Sequence, residues 1–405
     1  MDEKYEKRLE RNFPKYAWLK IFTMRVYYPV IGIYLASIGE LSLTEIATIA
    51  TISAGFSLIF QMPAGYFADK FGNRRAMYLG SLITLTGPLW YLILPNFWGG
   101  LIASVLFYTG LVFIGDGAIE ALIHDTLAKL KREHQYTKIM GRAVSYGLIG
   151  NMLAVTLVPL TYPVHYSLPF LIGFATQVAA FILVRSFEYP DLPRMRAKKK
   201  PIEALKSIVN WRNVALFVFF GFVSSLNKLN GIGEFSQIRL AELGVAVGLL
   251  GLVQALSSII GAILGQVVHI FDRIKPRPFY LIDLSLAAGC LATVGLTSNW
   301  VIGVIATALF AGWFRVRKII YQAKLLAELG HVYKATLLSA LSLFTNIWQM
   351  VAPGLLAWSV LARNDSLAGG YVLFAAIAFI TGMILWGWIW LTVRRKNDTK
   401  TAYVL

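Results

Sequence analysis

Asp116 and Glu120 stand four residues apart within a stretch, residues 101–123, that is otherwise apolar enough to lie in a membrane. Residues at this spacing share one face of a helix, so both carboxylates project to the same side and can share a proton. Desolvation and mutual repulsion each raise the proton affinity of one of the pair. A carboxylate in hydrocarbon is expensive, so such residues face a bundle interior or a watery cavity and mark an ion or solute path. The chemistry implied is reversible protonation coupled to solute movement. A structural ion pair with Arg25, Lys228 or Arg142 is the alternative.

Other polar groups fall in apolar surroundings. Arg25, beside Met24, Tyr27 and Tyr28, either binds an anionic group or neutralises a nearby acid. Lys228 and Glu234 belong to Asn227-Lys228-Leu229-Asn230-Gly231-Ile232-Gly233-Glu234, a polar, glycine-interrupted segment. Interruptions of this kind place free backbone groups beside transported solutes; the segment reads as a gating hinge or as a local distortion without ligand contact. Trp348, flanked by Asn346 and Gln349, is a pocket candidate, whereas Trp386, Trp388 and Trp390, just before Arg394, Arg395 and Lys396, read as an interfacial belt.

The elements that must position these groups are membrane helices. Of 405 residues, 57% are hydrophobic and only 15% charged, a composition outside the range of ordinary soluble domains. Windows of about 20 residues, enough to cross the hydrocarbon as a helix, predict twelve spans: 17–38, 44–67, 76–95, 100–123, 143–163, 166–187, 213–236, 245–270, 279–297, 300–320, 336–362 and 369–393. The net charge of +17 collects in alternate connections, for example Lys70, Arg74 and Arg75, then Lys129, Lys131 and Arg132, then Arg273, Lys275 and Arg277, then Arg315, Arg317, Lys318, Lys324 and Lys334. The connections between them, at 95–99, 163–167 and 298–299, carry no Lys or Arg. This is the positive-inside pattern, which places both termini and the basic loops in the cytoplasm of a multi-pass cell-membrane protein and argues against nucleic-acid binding. Residues 1–15 read as a lead-in helix, without the charge and apolar order of a cleavable signal. The lone Cys290, in an apolar span, reads as a packing residue.

A polar connection, residues 188–212, divides six spans (residues 1–187) from six (residues 213–405). The near-equal halves suggest an internal repeat, echoed weakly by Gly65 and Gly265 at the ends of spans two and eight. Intramembrane charges fall in spans one, four, seven and ten. These spans are expected to line a cavity, with spans three, six and twelve facing lipid.

After span two comes Gly65-Tyr66-Phe67-Ala68-Asp69-Lys70-Phe71-Gly72-Asn73-Arg74. With its position between spans two and three of twelve, this resembles the loop signature of the major facilitator superfamily. The family's arginine directly after the second glycine is Asn73 here, so Arg74 or Arg75 with Asp125 is expected to supply the charge network. Gly65 and Gly72 allow close helix approach and a tight turn, and Asp69 can cap a helix. Residues 117–127 and 334–339 resemble the drug-exporter-like branch, although Gln61 replaces an acid common there and span five lacks that branch's proline. The resemblance implies an all-α membrane protein of twelve transmembrane helices, in which a single chain suffices, and a gate at Gly65, Asp69, Gly72, Arg74, Arg75 and Asp125.

The expected function is secondary active transport of a small-molecule substrate by alternating access. Proton-coupled export of amphipathic or cationic compounds is preferred, with uptake of an anionic or neutral nutrient as the alternative and a membrane sensor or enzyme as a remote one. Without a phosphate-binding Gly-x-x-x-x-Gly-Lys loop or a His-Glu-x-x-His motif, an enzyme, an ATP-driven pump, a metal or another cofactor is not expected.

Overall fold

The computed structural model describes residues 3–114, 118–132, 136–190, 211–230, 233–266, 271, 274–329 and 334–401, and every regular element among them is helical. The lead-in is α1 (Glu3–Glu10), and span one is reached within α2 (Asn12–Phe22) and continues through a 3-10 turn (Tyr28–Val30) and α3 (Ile31–Ser37). Span two is α4 (Leu43–Phe71), span three α5 (Asn73–Leu85) with α6 (Gly87–Ile93), and span four α7 (Phe97–Ile114) with α8 (Ala118–Lys129). Span five is α9 (Tyr136–Leu157) and its 3-10 extension (Val158–Thr161), and span six is α10 (Leu168–Ser186). Span seven consists of α11 (Trp211–Asn230) and α12 (Glu234–Glu242), and span eight of a 3-10 turn (Val247–Leu249) and α13 (Leu250–Gln266). The last four are α14 (Pro276–Leu296), α15 (Trp300–Leu329), α16 (Lys334–Leu361) and α17 (Leu367–Thr401). Each of the twelve expected spans is thus represented by helix. Among the described residues, 8 helical segments are long and apolar enough to cross a membrane alone.

Local chemistry sets the boundaries. Ser42 caps α4 through a capping box with Glu45, satisfying backbone donors that the first turn leaves free. Gly72, at φ 96°, is the corner between α4 and α5, a backbone conformation that favours glycine. Because α4 continues to Phe71, the N-cap position of α5 is Gly72 and not Asp69. Among the described residues, a Cβ at Gly65 would meet nothing within 4 Å, so they show no close approach there.

The chain clusters into two compact units, Met1–Arg196 with Ala246–Ala255, and Ala197–Val245 with Leu256–Leu405. In the first, α5 and α7 meet at glycine, where a Cβ on Gly80 would come within 2.6 Å of the Gly110 carbonyl. Small residues permit this intimacy in apolar bundles. Gly251 packs equally closely on Val155 and Thr156 of α9, joining the start of α13 to this unit. The lead-in helices are tied down: the Asn12 amide donates to Thr126 (3.2 Å) and to the Glu188 carbonyl (2.7 Å), and Glu10 pairs with Arg132 at 2.6 Å.

The second unit is organised around a buried ion pair. Arg317 of α15 and Asp283 of α14, both 0% exposed, meet at 2.6 Å. The carboxylate also accepts from the Arg317 Nε (2.9 Å), the Trp313 indole (2.7 Å) and the Tyr321 hydroxyl (2.9 Å). Arg317 Nη1 donates to Ser224 of α11 at 2.6 Å, so three helices share the network. Arg317 was counted with the basic connections on sequence; α15 continues to Leu329 and carries it into the bundle instead. At the opposite end, Arg239 donates to the carbonyls of Val294 (3.2 Å), Gly295 (3.4 Å) and Thr297 (2.9 Å), closing the C-terminus of α14.

Removing one member of a buried pair strands the other, at roughly 3–5 kcal/mol. Arg317→Met is therefore expected to lower the Tm of the detergent-solubilised protein sharply, and the double variant Arg317→Met, Asp283→Leu to recover most of the loss. Equal Tm values for single and double variants would contradict this role.

Candidate functional site

The first span is broken where Arg25 stands. Helix α2 ends at Phe22 and helical structure resumes only at Tyr28, with Pro29 in the first turn. Proline lacks an N–H to bond four residues back and disfavours α-helical geometry in its predecessor, which accounts for a break inside a stretch whose hydropathy reads as continuous. The ends are cared for: Thr23 Oγ1 donates to the Leu19 carbonyl at 2.7 Å, and Gln177 of α10 donates to the freed Phe22 carbonyl at 3.3 Å.

Arg25 is buried among aromatic rings. Its Nη2 donates to the Tyr91 hydroxyl at 2.6 Å and to Ser104 Oγ at 3.0 Å, and these two hydroxyls are 2.9 Å apart. The guanidinium carbon lies 4.8 Å from the Phe107 ring centre and within 6.0 Å of those of Tyr27, Tyr28, Tyr91 and Tyr108. Rings at such distances stabilise a cation. No carboxylate pairs with Arg25 among the described residues, and its Nε and Nη1, like the Tyr27 hydroxyl, are buried without a hydrogen bond of good geometry, although the guanidinium and that hydroxyl lie near enough to attract each other. Ser104 lies two turns from the start of α7, which follows an uncharged connection, so the Arg25 guanidinium is in the half of the bundle away from the basic loops. The arrangement can hold an anion or a group rich in hydrogen-bond acceptors.

The other expected site residues are less tightly drawn together. Asp116 lies outside the described residues; Glu120 is on α8 and Lys228 on α11, but both side chains, with that of Asp69 on α4, also lie outside them. Span seven is interrupted at a glycine: Gly233 is extended and stands at the N-cap of α12, which starts at Glu234, while residues 231–232 lie outside the described residues. Glu234 is buried in the first turn of α12, where the helix dipole favours a negative charge, and has no ion pair among the described residues. Trp348 packs edge-on against Phe222 at 5.0 Å, joining α16 to α11, and Asn346 lies half-buried on the same helix.

At the basic end of the first unit the expected charge network takes a different form. Arg74 lies over the Tyr189 ring at 5.3 Å, and neither Arg74 nor Arg75 pairs with Asp125 among the described residues. Burial pushes the Asp125 carboxyl above its ordinary pKa, while neighbouring His124 pulls it down. Asp125 is thus governed by desolvation, not by an arginine. Tyr91, Ser104 and Tyr108 were missed on sequence, although each is a hydroxyl in an apolar span. Asp283 was missed as a single acid in one.

Comparisons with known proteins agree with the helical architecture. A family model described as Major Facilitator Superfamily matches residues 17–353. An uncharacterized transporter of Buchnera aphidicola subsp. Baizongia pistaciae is 31% identical over 143 residues, covering 35% of this chain and 34% of that protein. The raffinose permease of Escherichia coli is 25% identical over 168 residues, covering 40% and 38%. The chain therefore spans little more than a third of the length of these two relatives. The crystal structure of the nucleoside transporter NupG is similar with a TM-score of 0.74 at 12% identity, over 94% of this chain and 98% of that one. At that identity the likeness speaks for the fold alone.

Replacing a buried charge that has no ionic partner by an apolar group of similar volume removes its desolvation cost and leaves no opposite charge stranded. Tyr91 and Ser104 keep each other as partners when the guanidinium is gone. Arg25→Met is accordingly expected to leave the Tm in detergent unchanged or raise it, opposite in sign to Arg317→Met; a large fall would show that Arg25 is a structural anchor.

Proposed function

The chain belongs to the Major Facilitator Superfamily, and from that premise we propose that it is a secondary transporter taking up a small polar solute, anionic or rich in hydroxyl groups, that engages Arg25. The observation that carries this reading is the buried guanidinium at the break in span one, with two nitrogens unpartnered. A carboxylate or a sugar hydroxyl placed there completes hydrogen bonds that the protein leaves unmade, and hydrogen bonds to a charged group are among the stronger ones. Tyr27, Tyr28 and Tyr108 offer faces against which an apolar edge of the solute can rest. Likeness to a raffinose permease supports the hydroxyl-rich form of the reading.

Proton-coupled export of cationic or amphipathic compounds has less support. Arg25 repels cationic cargo, and relatives named as sugar permeases do not favour efflux. Asp116 and Glu120 keep their proposed part as proton carriers, which suits symport as well as antiport. In this proposal the chain works by alternating access in the cell membrane and is built of two six-helix halves, residues 1–187 and 213–405. Both termini are cytoplasmic and a single chain suffices. Glu234, Lys228, Asn346 and Trp348 serve the second half's side of the path. Gly65, Asp69, Gly72, Arg74, Arg75 and Asp125 serve the gate.

The test is uptake by proteoliposomes carrying an imposed proton gradient, with radiolabelled raffinose, a nucleoside, a monocarboxylate and a cationic dye. Saturable uptake of a sugar, nucleoside or carboxylate is expected, and Arg25→Met should raise the half-saturating concentration by about 10- to 100-fold. Transport of the dye alone, undisturbed in Arg25→Met, would overturn the proposal and restore the export reading.

A further inference from the structure

A second cation is held in a different way at the end of the second unit that carries the basic connections. Arg277, in the first turn of α14, has its guanidinium carbon 5.1 Å from the Trp386 ring centre and 5.5 Å from that of Trp390. The indoles, one turn apart on α17, are 6.4 Å from each other and inclined at 64°. Trp386 Nε1 donates to the Arg277 carbonyl at 3.2 Å, which fixes the backbone against the ring. Arg277 is nevertheless exposed, and its guanidinium has no carboxylate or hydrogen-bond acceptor among the described residues. Lys275, two residues earlier, is exposed as well.

The surroundings give the depth. Helices α14 and α17 pack side by side, with Gly382 against Leu284, and their outer faces leave Ile282, Phe379 and Ile380 exposed, Ile380 by 60%. Branched and aromatic side chains so uncovered on a membrane bundle face hydrocarbon. Arg277 and its two indoles therefore stand where the apolar face gives way to charge, the depth at which tryptophan collects and lipid phosphates lie. Ring contact leaves the N–H edge of a guanidinium available, and that edge suits two oxygens of one phosphate.

We propose that Arg277, held against Trp386 and Trp390 with Lys275 nearby, is a binding site for the phosphate of an anionic phospholipid. The indoles orient the guanidinium and supply apolar surface for the glycerol backbone, and the exposed faces of α14 and α17 receive the acyl chains. A zwitterionic lipid offers the same phosphate with a compensating cation and binds less well. The site is independent of the solute path, so transport is not its readout.

Native mass spectrometry of the full-length protein, delipidated and then titrated with phosphatidylglycerol or phosphatidylcholine of the same acyl chains, tests this. Wild type is expected to retain phosphatidylglycerol preferentially, and Arg277→Gln to lose about fivefold of that retention, a change of the size one surface cation supplies near anionic lipid. Arg277→Lys should fall between, because it keeps the charge without the planar stacking. Equal retention by wild type and both variants would overturn the proposal, as would equal retention of the two lipids by wild type. Competition by millimolar inorganic phosphate alone would also overturn it, marking a free-anion site. Unchanged Tm in the variants is the control that the fold is intact.

Discussion

A charge carried into an apolar bundle has to find its partner within the protein, and the organisation of the second unit follows from how Arg317 does so. With Asp283, Trp313, Tyr321 and Ser224 around it, every polar atom of the pair faces a donor or acceptor. That saturation explains why the residue is 0% exposed. It also fixes the rotation of α14 and α15 about their axes, since a turn of either helix would expose a carboxylate or guanidinium to apolar side chains. A close glycine contact, Gly312 against Ser257 and Ile260, packs α15 against α13 as well.

Arg25 obeys the same constraint only halfway. Its rings and two hydroxyls stabilise the cation without neutralising it, and it stands at a break in the helix and not within one. The two facts belong together. A continuous helix would spend its backbone groups on itself, whereas the interruption at Pro29 sets the guanidinium beside a bend in the chain. The interruption of span seven before Glu234 repeats the device in the second unit, with a carboxylate in place of the cation.

How much of this was legible in the sequence depended on the length scale of the signal. Twelve apolar stretches of about 20 residues are a long-range pattern, and helix was found in each. The break in span seven was also legible, because glycines and polar residues cluster there. The break in span one turned on a single proline within an apolar run, a signal too short for hydropathy to register. Arg317 was assigned to a connection because basic residues near span ends follow the positive-inside pattern, and nothing in that pattern tells a loop residue from one on a helix that continues inward to Leu329. The expectation that Asp125 would pair with Arg74 or Arg75 failed for a related reason: spacing brings charges to one end of a bundle but does not say whether an aromatic ring, here Tyr189, takes the arginine first.

Three arginines thus meet three environments, and the environment, not the residue type, decides the role. Arg317 has a carboxylate and no free donor, so it secures packing. Arg277 has two indoles at the border of an exposed apolar face, which suits a partner that arrives from the bilayer. Arg25 has rings, two hydroxyls and two unused nitrogens in the interior. In the proposed function, a solute group that completes those nitrogens lowers the energy of the conformation that holds it. A transporter needs such a difference, because a solute shifts a conformational equilibrium only as far as its affinities for the two conformations differ. A saturated network at Arg25, like the one at Arg317, would bind nothing and therefore shift nothing.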